Sequence, residues 1–228
     1  MTKKIDRLFL VGLGLIGGSL AKAVKDRKLC NQVIGYSRSH ETLVQAIKLG
    51  VVDETVSDLD EIPTDLGADD LVVIAVPTLA VKEIIIKLHK ILDGSVTITD
   101  VSSVKGSIAK CVHAIYGFNP SQFVPGHPIA GSEKSGIKSI NPLLFEDHQV
   151  ILTPLSETSS SHIEKVSSIW MGVGAIVSEM SVTDHDEILA ATSHLPHMLA
   201  YSLVDMLSGI RKNQEAFRYA AGGFSDFT

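Results

Sequence analysis

The sequence has 228 residues, 45% of them hydrophobic and 20% charged, which is enough apolar material for one large globular core and a smaller companion. Twenty Lys and Arg against 26 Asp and Glu leave a formal charge of −6, so the surface should repel nucleic acid and anionic membrane, and a small molecule is the expected ligand. The two cysteines, Cys30 and Cys111, lie far apart, match no metal-ligand spacing and accompany no secretory leader; both are expected to be reduced thiols in a cytoplasmic protein.

In chain order, Arg7 to Val11 is a short apolar run leading straight into Gly12-Leu13-Gly14-Leu15-Ile16-Gly17, and Ser19 to Lys28 carries apolar residues at helical spacing. The pattern predicts strand, tight turn and helix. Val33 to Tyr36 reads as a second buried strand and Glu41 to Leu49 as an amphipathic helix closed by Gly50, which completes a βαβ unit. Leu71 to Val76 is a third apolar run; with Pro77 and Thr78 following it, the stretch is far too short to span a membrane. A helix over Leu79 to Leu92, a strand over Ser95 to Asp100 and a helix from Lys105 follow, an alternation that implies a parallel sheet covered on both faces. Beyond a short strand at Phe123 and Val124 comes a long glycine-bearing loop from Gly126 to Asp147, then a strand over Gln149 to Leu152; a loop of that length is expected to be functional. Ser159 to Ser161 should start a helix carrying Ile163, Val166, Ile169 and Trp170, and Ala175 to Val177 reads as an edge strand. From Thr183, paired with Asp186 as a capping box, the sequence is helix-forming to about Leu207. The expected architecture is an α/β, Rossmann-type, doubly wound and mostly parallel sheet over 1–180, then an incomplete all-helical domain over 181–228.

A GxGxxG string alone is weak, but between an apolar strand and a helix it specifies a pyrophosphate cradle. Gly12 would allow the tight turn, Gly14 the close approach of the phosphates, and Gly17 the packing of helix on strand, with Leu15 and Ile16 opening the helix whose N-terminus faces the anion. At the end of the second strand, where an acidic residue would select NAD, the sequence has Tyr36-Ser37-Arg38. Ser37 removes a carboxylate that would repel a 2′-phosphate and Arg38 supplies a forked cationic donor, so NADP is favoured and NAD remains possible. Val76, Pro77 and Ser103 follow other strand ends, where open α/β sheets bind ligands. His127, between glycine and proline after a strand, is a candidate general base.

Taken together, GLGLIGGS at 12–19, VSSVKG at 101–106, GHPIAGSEKSG at 126–136, SHLPH at 193–197 and GGFSDFT at 222–228 resemble the prephenate and arogenate dehydrogenases of tyrosine biosynthesis. The resemblance covers essentially the whole chain. It implies an NAD(P)-dependent oxidative decarboxylation: hydride leaves C4 of a cyclohexadiene, C4 becomes a ketone, and loss of the C1 carboxylate as CO2 yields a phenol. By the match, His127 accepts the C4 hydroxyl proton, Ser103 bonds the same hydroxyl and orders His127, and Ser132, Glu133 and His197 line the substrate pocket. Prephenate and arogenate are equally compatible. The resemblance also implies a homodimer when full length, because family members continue past GGF-x-D-x-T into a carboxylate-binding arginine and dimerising helices; Ser225 stands where a basic residue is common. A truncated chain that binds NADP without turnover is the alternative, and a relative acting on another small hydroxy acid lacks its usual lysine. His194 and His197 share a helix face, but a metal site joining them to Asp184 or His185 has no third ligand at a recognised spacing, and no metal is expected. Pro196 should kink this helix by freeing the carbonyl of Thr192.

Overall fold

A computed structural model describes residues 5–132, 134–210, 213–220 and 224. The chain divides into two compact units, residues 1–182 and 183–228.

In the larger unit, strands β1 (Ile5–Val11), β2 (Cys30–Tyr36), β3 (Glu54–Val56), β4 (Leu71–Ile74), β5 (Thr97–Asp100), β6 (Phe123–Pro128), β7 (Gln149–Leu152) and β8 (Ile176–Glu179) form one sheet in the order β3-β2-β1-β4-β5-β6-β7-β8. Every neighbouring pair is parallel except β6 and β7. Alternation along the strands feeds two cores: Leu8 and Leu10 of β1 face one, Phe9 and Val11 the other. The first core is closed by α1 (Leu15–Asp26), α2 (His40–Lys48) and α5 (Ser160–Gly172), which contribute Leu20, Leu43 and Trp170. The second is closed by α3 (Thr78–Ile91) and α4 (Gly106–Tyr116), through residues such as Ile85 and Val112. This is the doubly wound, mostly parallel architecture the sequence predicts. Chain order reverses between β1 and β4, and that switch point opens a crevice at the carboxyl ends of the strands.

Three elements differ from expectation. β3 has only three residues, of which Glu54 is exposed and only Val56 is buried, so it carries no apolar run to detect. β4 ends at Ile74 rather than Val76. β6 continues through Pro128 instead of breaking into loop at Gly126, because antiparallel pairing of Gly126, His127 and Pro128 with Leu152, Ile151 and Val150 extends it. Prolines on both sides of Gly126 and His127 read as loop in sequence, yet Pro125 still accepts a bond from Thr153 N at 2.9 Å. The segment between β6 and β7 is tied to the first core: Phe145 packs edge-on against Trp170 with ring centroids 5.0 Å apart, and Asn141 N donates to Ser19 Oγ at 3.0 Å.

The smaller unit contains α6 (Val182–Leu189), a π-helical turn over Ala190–His194, α7 (Leu195–Ser208) and α8 (Asn213–Arg218). One unbroken helix from Thr183 is thus not what forms. The helix starts at Val182, placing Thr183 inside it rather than at the cap, and it widens where Leu195 N donates to Ala190 O. Pro196, at the second position of α7, has no N–H to return to the carbonyl of Thr192, a chemical reason for the ladder to slip here. Among the described residues no helix is long and apolar enough to cross a membrane, and neither cysteine forms a disulfide.

Candidate functional site

The glycine loop has three positions with three different spatial demands. Gly12 sits at φ +106°, and a Cβ there would lie 2.4 Å from the Ala75 carbonyl oxygen. At Gly17 a Cβ would lie 2.1 Å from the Gly12 carbonyl oxygen and 2.9 Å from the Ala75 Cβ. These two glycines let β1, α1 and the end of β4 touch. Gly14, the residue before α1, has nothing within 4 Å of such a Cβ, so its open side is where a ligand's phosphates can come close. No side chain caps α1; the half-buried Leu15 and Ile16 form its first turn, where unpaired backbone N–H groups and the helix dipole favour an anion. The residues present therefore fit a dinucleotide pyrophosphate.

Beside this loop is a cleft of about 460 Å³ whose lining includes Gly12, Gly14, Ser37, Arg38, Val76 and Pro77, a volume suited to one half of a dinucleotide. Ser37 is half-buried and its Oγ accepts from Ser39 N at 3.2 Å; Ser39 in turn caps α2 by accepting from Thr42 N. Arg38 is exposed and forms no ion pair or hydrogen bond among the described residues. Lys87, also on this cleft, lies 3.1 Å from Asp60 and 3.4 Å from Asp58. Arg38 is thus the cation with its charge still to be answered.

Leu15, Ile16, Gly17, Ser103 and His127 do not line that cleft. Ser103 is exposed just past β5 and makes no hydrogen bond among the described residues, so the expected bond ordering His127 is not formed in this structure. His127 is half-buried on β6, opposite Ile151. Phe123 enters the core under α3 and α4 while Val124 enters the other. The same alternation places His127 on the α4 side of the sheet, the helix that follows Ser103. Ser132 is exposed, and its Oγ accepts from Lys134 N at 3.1 Å. Glu133, Ser225 and the GGFSDFT motif except Phe224 lie outside the described residues.

Sequence reasoning overlooked the polar core beneath these residues. Lys105 Nζ is 2.7 Å from Asp100 Oδ2, and both side chains are 0% exposed; the same ammonium donates to the Gly126 carbonyl oxygen at 2.6 Å. Ser102 is buried and its Oγ has no hydrogen-bond partner among the described residues. The signal was available in Asp100 and Lys105 flanking a strand end, five residues apart.

In the smaller unit His197 is exposed and stacks on Tyr201, with ring centroids 6.4 Å apart and planes 24° apart. His194 ends the π-helical turn, and His185 Nδ1 lies 2.8 Å from Asp186 Oδ1. Among the described residues, no group of three His, Cys, Asp or Glu could hold a metal ion.

Residues 20–179 match the nucleotide-binding domain of prephenate dehydrogenase, and 181–228 match that enzyme's dimerization domain. The chain is 36% identical to prephenate dehydrogenase of Bacillus subtilis, an alignment covering 100% of this chain and 61% of the relative. It is also 36% identical to cyclohexadienyl dehydrogenase of Zymomonas mobilis, over 96% of this chain and 74% of that protein. A crystal structure of Aquifex aeolicus prephenate dehydrogenase with hydroxyphenyl propionate and NAD+ superposes with a TM-score of 0.90 at 36% identity, covering 100% of this chain and 78% of that one. This chain thus spans about three fifths of the length of the Bacillus relative. The glycine cradle precedes the matched segment and points independently to the same ligand class; the chain belongs to the prephenate dehydrogenase family.

Proposed function

We propose that the protein carrying this chain catalyses the NAD(P)-dependent oxidative decarboxylation of prephenate to 4-hydroxyphenylpyruvate. The observation that carries this reading is the placement of His127 on β6, one strand from Ser103 after β5, in a sheet whose β1 end forms a dinucleotide cradle. A nicotinamide dinucleotide, when bound, supplies the hydride acceptor. The backbone N–H groups after Gly14 bind its pyrophosphate, and Arg38 binds a 2′-phosphate, which makes NADP the preferred form. His127 accepts the C4 hydroxyl proton as hydride leaves C4, and Ser103 orients the same hydroxyl. The resulting ketone withdraws the electron pair released as the C1 carboxylate departs as CO2, and the phenolate so formed takes back the proton held by His127 to become a phenol. Ser132 contacts the substrate in the same reading. Arogenate would follow the same course to tyrosine, since its amino group is remote from C4.

Dimerisation through the smaller unit accompanies this reading. Leu195, Met198, Leu199, Tyr201 and Met206 of α7 are all exposed, as expected of a helix that pairs with a second copy. A cytoplasmic location goes with it. The direct test is an assay of the whole protein crossing prephenate and arogenate with NAD+ and NADP+. The expected result is reduced dinucleotide with equimolar CO2, fastest with prephenate and NADP+. Dinucleotide binding without turnover of either substrate would instead mark a cofactor-binding module.

A further inference from the structure

At the carboxyl end of β5 the sheet changes construction. β6 pairs in parallel with β5 through Phe123, Val124 and Pro125, then pairs with β7 in antiparallel fashion from Gly126 onward. Pro125, opposite Asp100, is the last residue of the parallel register, and its carbonyl already turns to Thr153 N on the β7 side. Gly126 is therefore the residue at which β6 parts from β5, and its backbone needs partners on the β5 side. Side chains supply them: Asp100 Oδ1 accepts from Gly126 N at 3.4 Å, and Lys105 Nζ donates to Gly126 O at 2.6 Å. The two side chains bond one another at 2.7 Å, and Asp100 Oδ2 also accepts from Ser102 N at 2.9 Å. The strands are close, since a Cβ on Gly126 would stand 3.2 Å from Asp100 O. One buried ion pair thus grips both backbone groups of the residue immediately before His127 and the backbone immediately before Ser103.

We propose that Lys105 is a positioning residue for the reaction: through the Gly126 carbonyl it fixes the peptide plane that carries His127, and through Asp100 it fixes the turn that carries Ser103. This rests on the reading of His127 as the proton acceptor. Lys105 itself is fully buried, behind the residues it orients. A lysine suits the task because its tetrahedral ammonium offers three donors in divergent directions, which a planar guanidinium or a neutral amide cannot do from the same slot.

The test uses the whole protein and two variants. Lys105→Met with Asp100→Asn removes both buried charges together, so that neither is stranded. Lys105→Arg keeps the charge and changes its geometry. For both, the expectation is dinucleotide affinity within about twofold of the parent, substrate KM little changed, kcat lower by about 10- to 100-fold, and a displaced titration of the His127 imidazole measured by NMR without substrate. A purely structural lysine would lower thermal stability but leave kcat per folded molecule and the His127 titration where they were, and that result in either variant overturns the proposal. Should the double variant fail to fold, Lys105→Arg decides by the same two readouts. The outcomes separate cleanly from failure of the functional reading: if His127→Asn turns over normally, the proton-acceptor role falls, while the imidazole titration still reports whether Lys105 positions that ring.

Discussion

Two ion pairs stitch neighbouring strands of this sheet at opposite ends. At the amino end, Arg7 of β1 holds Asp70, the residue before β4, through Arg7 N at 2.9 Å and Nη2 at 2.8 Å. At the carboxyl end, Lys105 holds Asp100 at 2.7 Å. The first pair reaches the rim: the Arg7 side chain is 19% exposed and also bonds the exposed Asp65. The second is sealed and also bonds the backbone beside the site. Burying charge without water is costly unless every bond is made. A strand junction that only needs strength can leave its pair at the surface, whereas one that must hold a catalytic backbone in a single geometry has reason to bury it.

The sharpest test of that contrast is at the carboxyl end. His127→Asn keeps the shape and a hydrogen-bonding side chain but removes the titratable base, so kcat should fall by about 10²- to 10⁴-fold with dinucleotide binding retained. Unchanged turnover would show that the buried pair supports something other than a proton acceptor. Gly17→Ala acts on the cradle instead. Its Cβ would meet the Gly12 carbonyl at 2.1 Å, and because backbone cannot swing aside, a loss of about 3 kcal/mol is expected, together with loss of dinucleotide affinity. Gly14→Ala is its control: with open space around the new methyl, thermal stability should hold while dinucleotide affinity falls. Equal destabilisation by the two would mean that the loop glycines are not divided between packing and ligand approach.

Apart from the three-residue β3, the β1 to β5 half of the sheet was legible because local rules suffice there. Apolar runs such as Leu71 to Ile74 are buried on both faces, and the glycine spacing has one common meaning between strand and helix. The β6 to β7 half was not, because its geometry comes from a partner distant in sequence. Nothing local to Pro125-Gly126-His127-Pro128 says strand; Val150, Ile151 and Leu152 say it by pairing. The π-helical turn over Ala190–His194 is similar: Pro196 announces a disturbance, but whether the helix kinks, stops or widens depends on the bond Leu195 finds at Ala190. The buried pair was visible only as two charged residues, since sequence does not tell a solvated lysine from one at 0% exposure. The exposed, unpaired state of Arg38 likewise follows from where Asp58 and Asp60 sit, which is beside Lys87.

That division of cations makes a prediction of intermediate size. Arg38→Ala should weaken NADP+ by about 10- to 100-fold, the worth of one charge-assisted bond, and NAD+ by much less. Lys87→Ala should change the two dinucleotides alike, because its charge is already held by carboxylates. Parallel losses for both dinucleotides on Arg38→Ala would leave the 2′-phosphate without an assigned reader.

The smallest effect belongs to the amino-end pair and should appear in stability alone. Burial pushes the Asp70 carboxyl up, but the bonds from Arg7 and the backbone N–H groups of Gly67 and Arg7 outweigh it, and its pKa stands below the usual carboxylate value. A group depressed in the folded state stabilises the fold above its unfolded pKa of about 3.9, and that contribution is lost as pH falls through the lower folded value. Asp70→Asn should therefore cost about 1–2 kcal/mol near pH 7, measured by urea unfolding, and the gap from the parent should close in acid below the ordinary carboxylate range. The kcat of the folded variant should not move, since no bond of Asp70 reaches the residues around Gly126. A fall in kcat matching that of the Lys105 variants would erase the distinction between the two ends, because it would make any break in the sheet's ion pairs felt at His127.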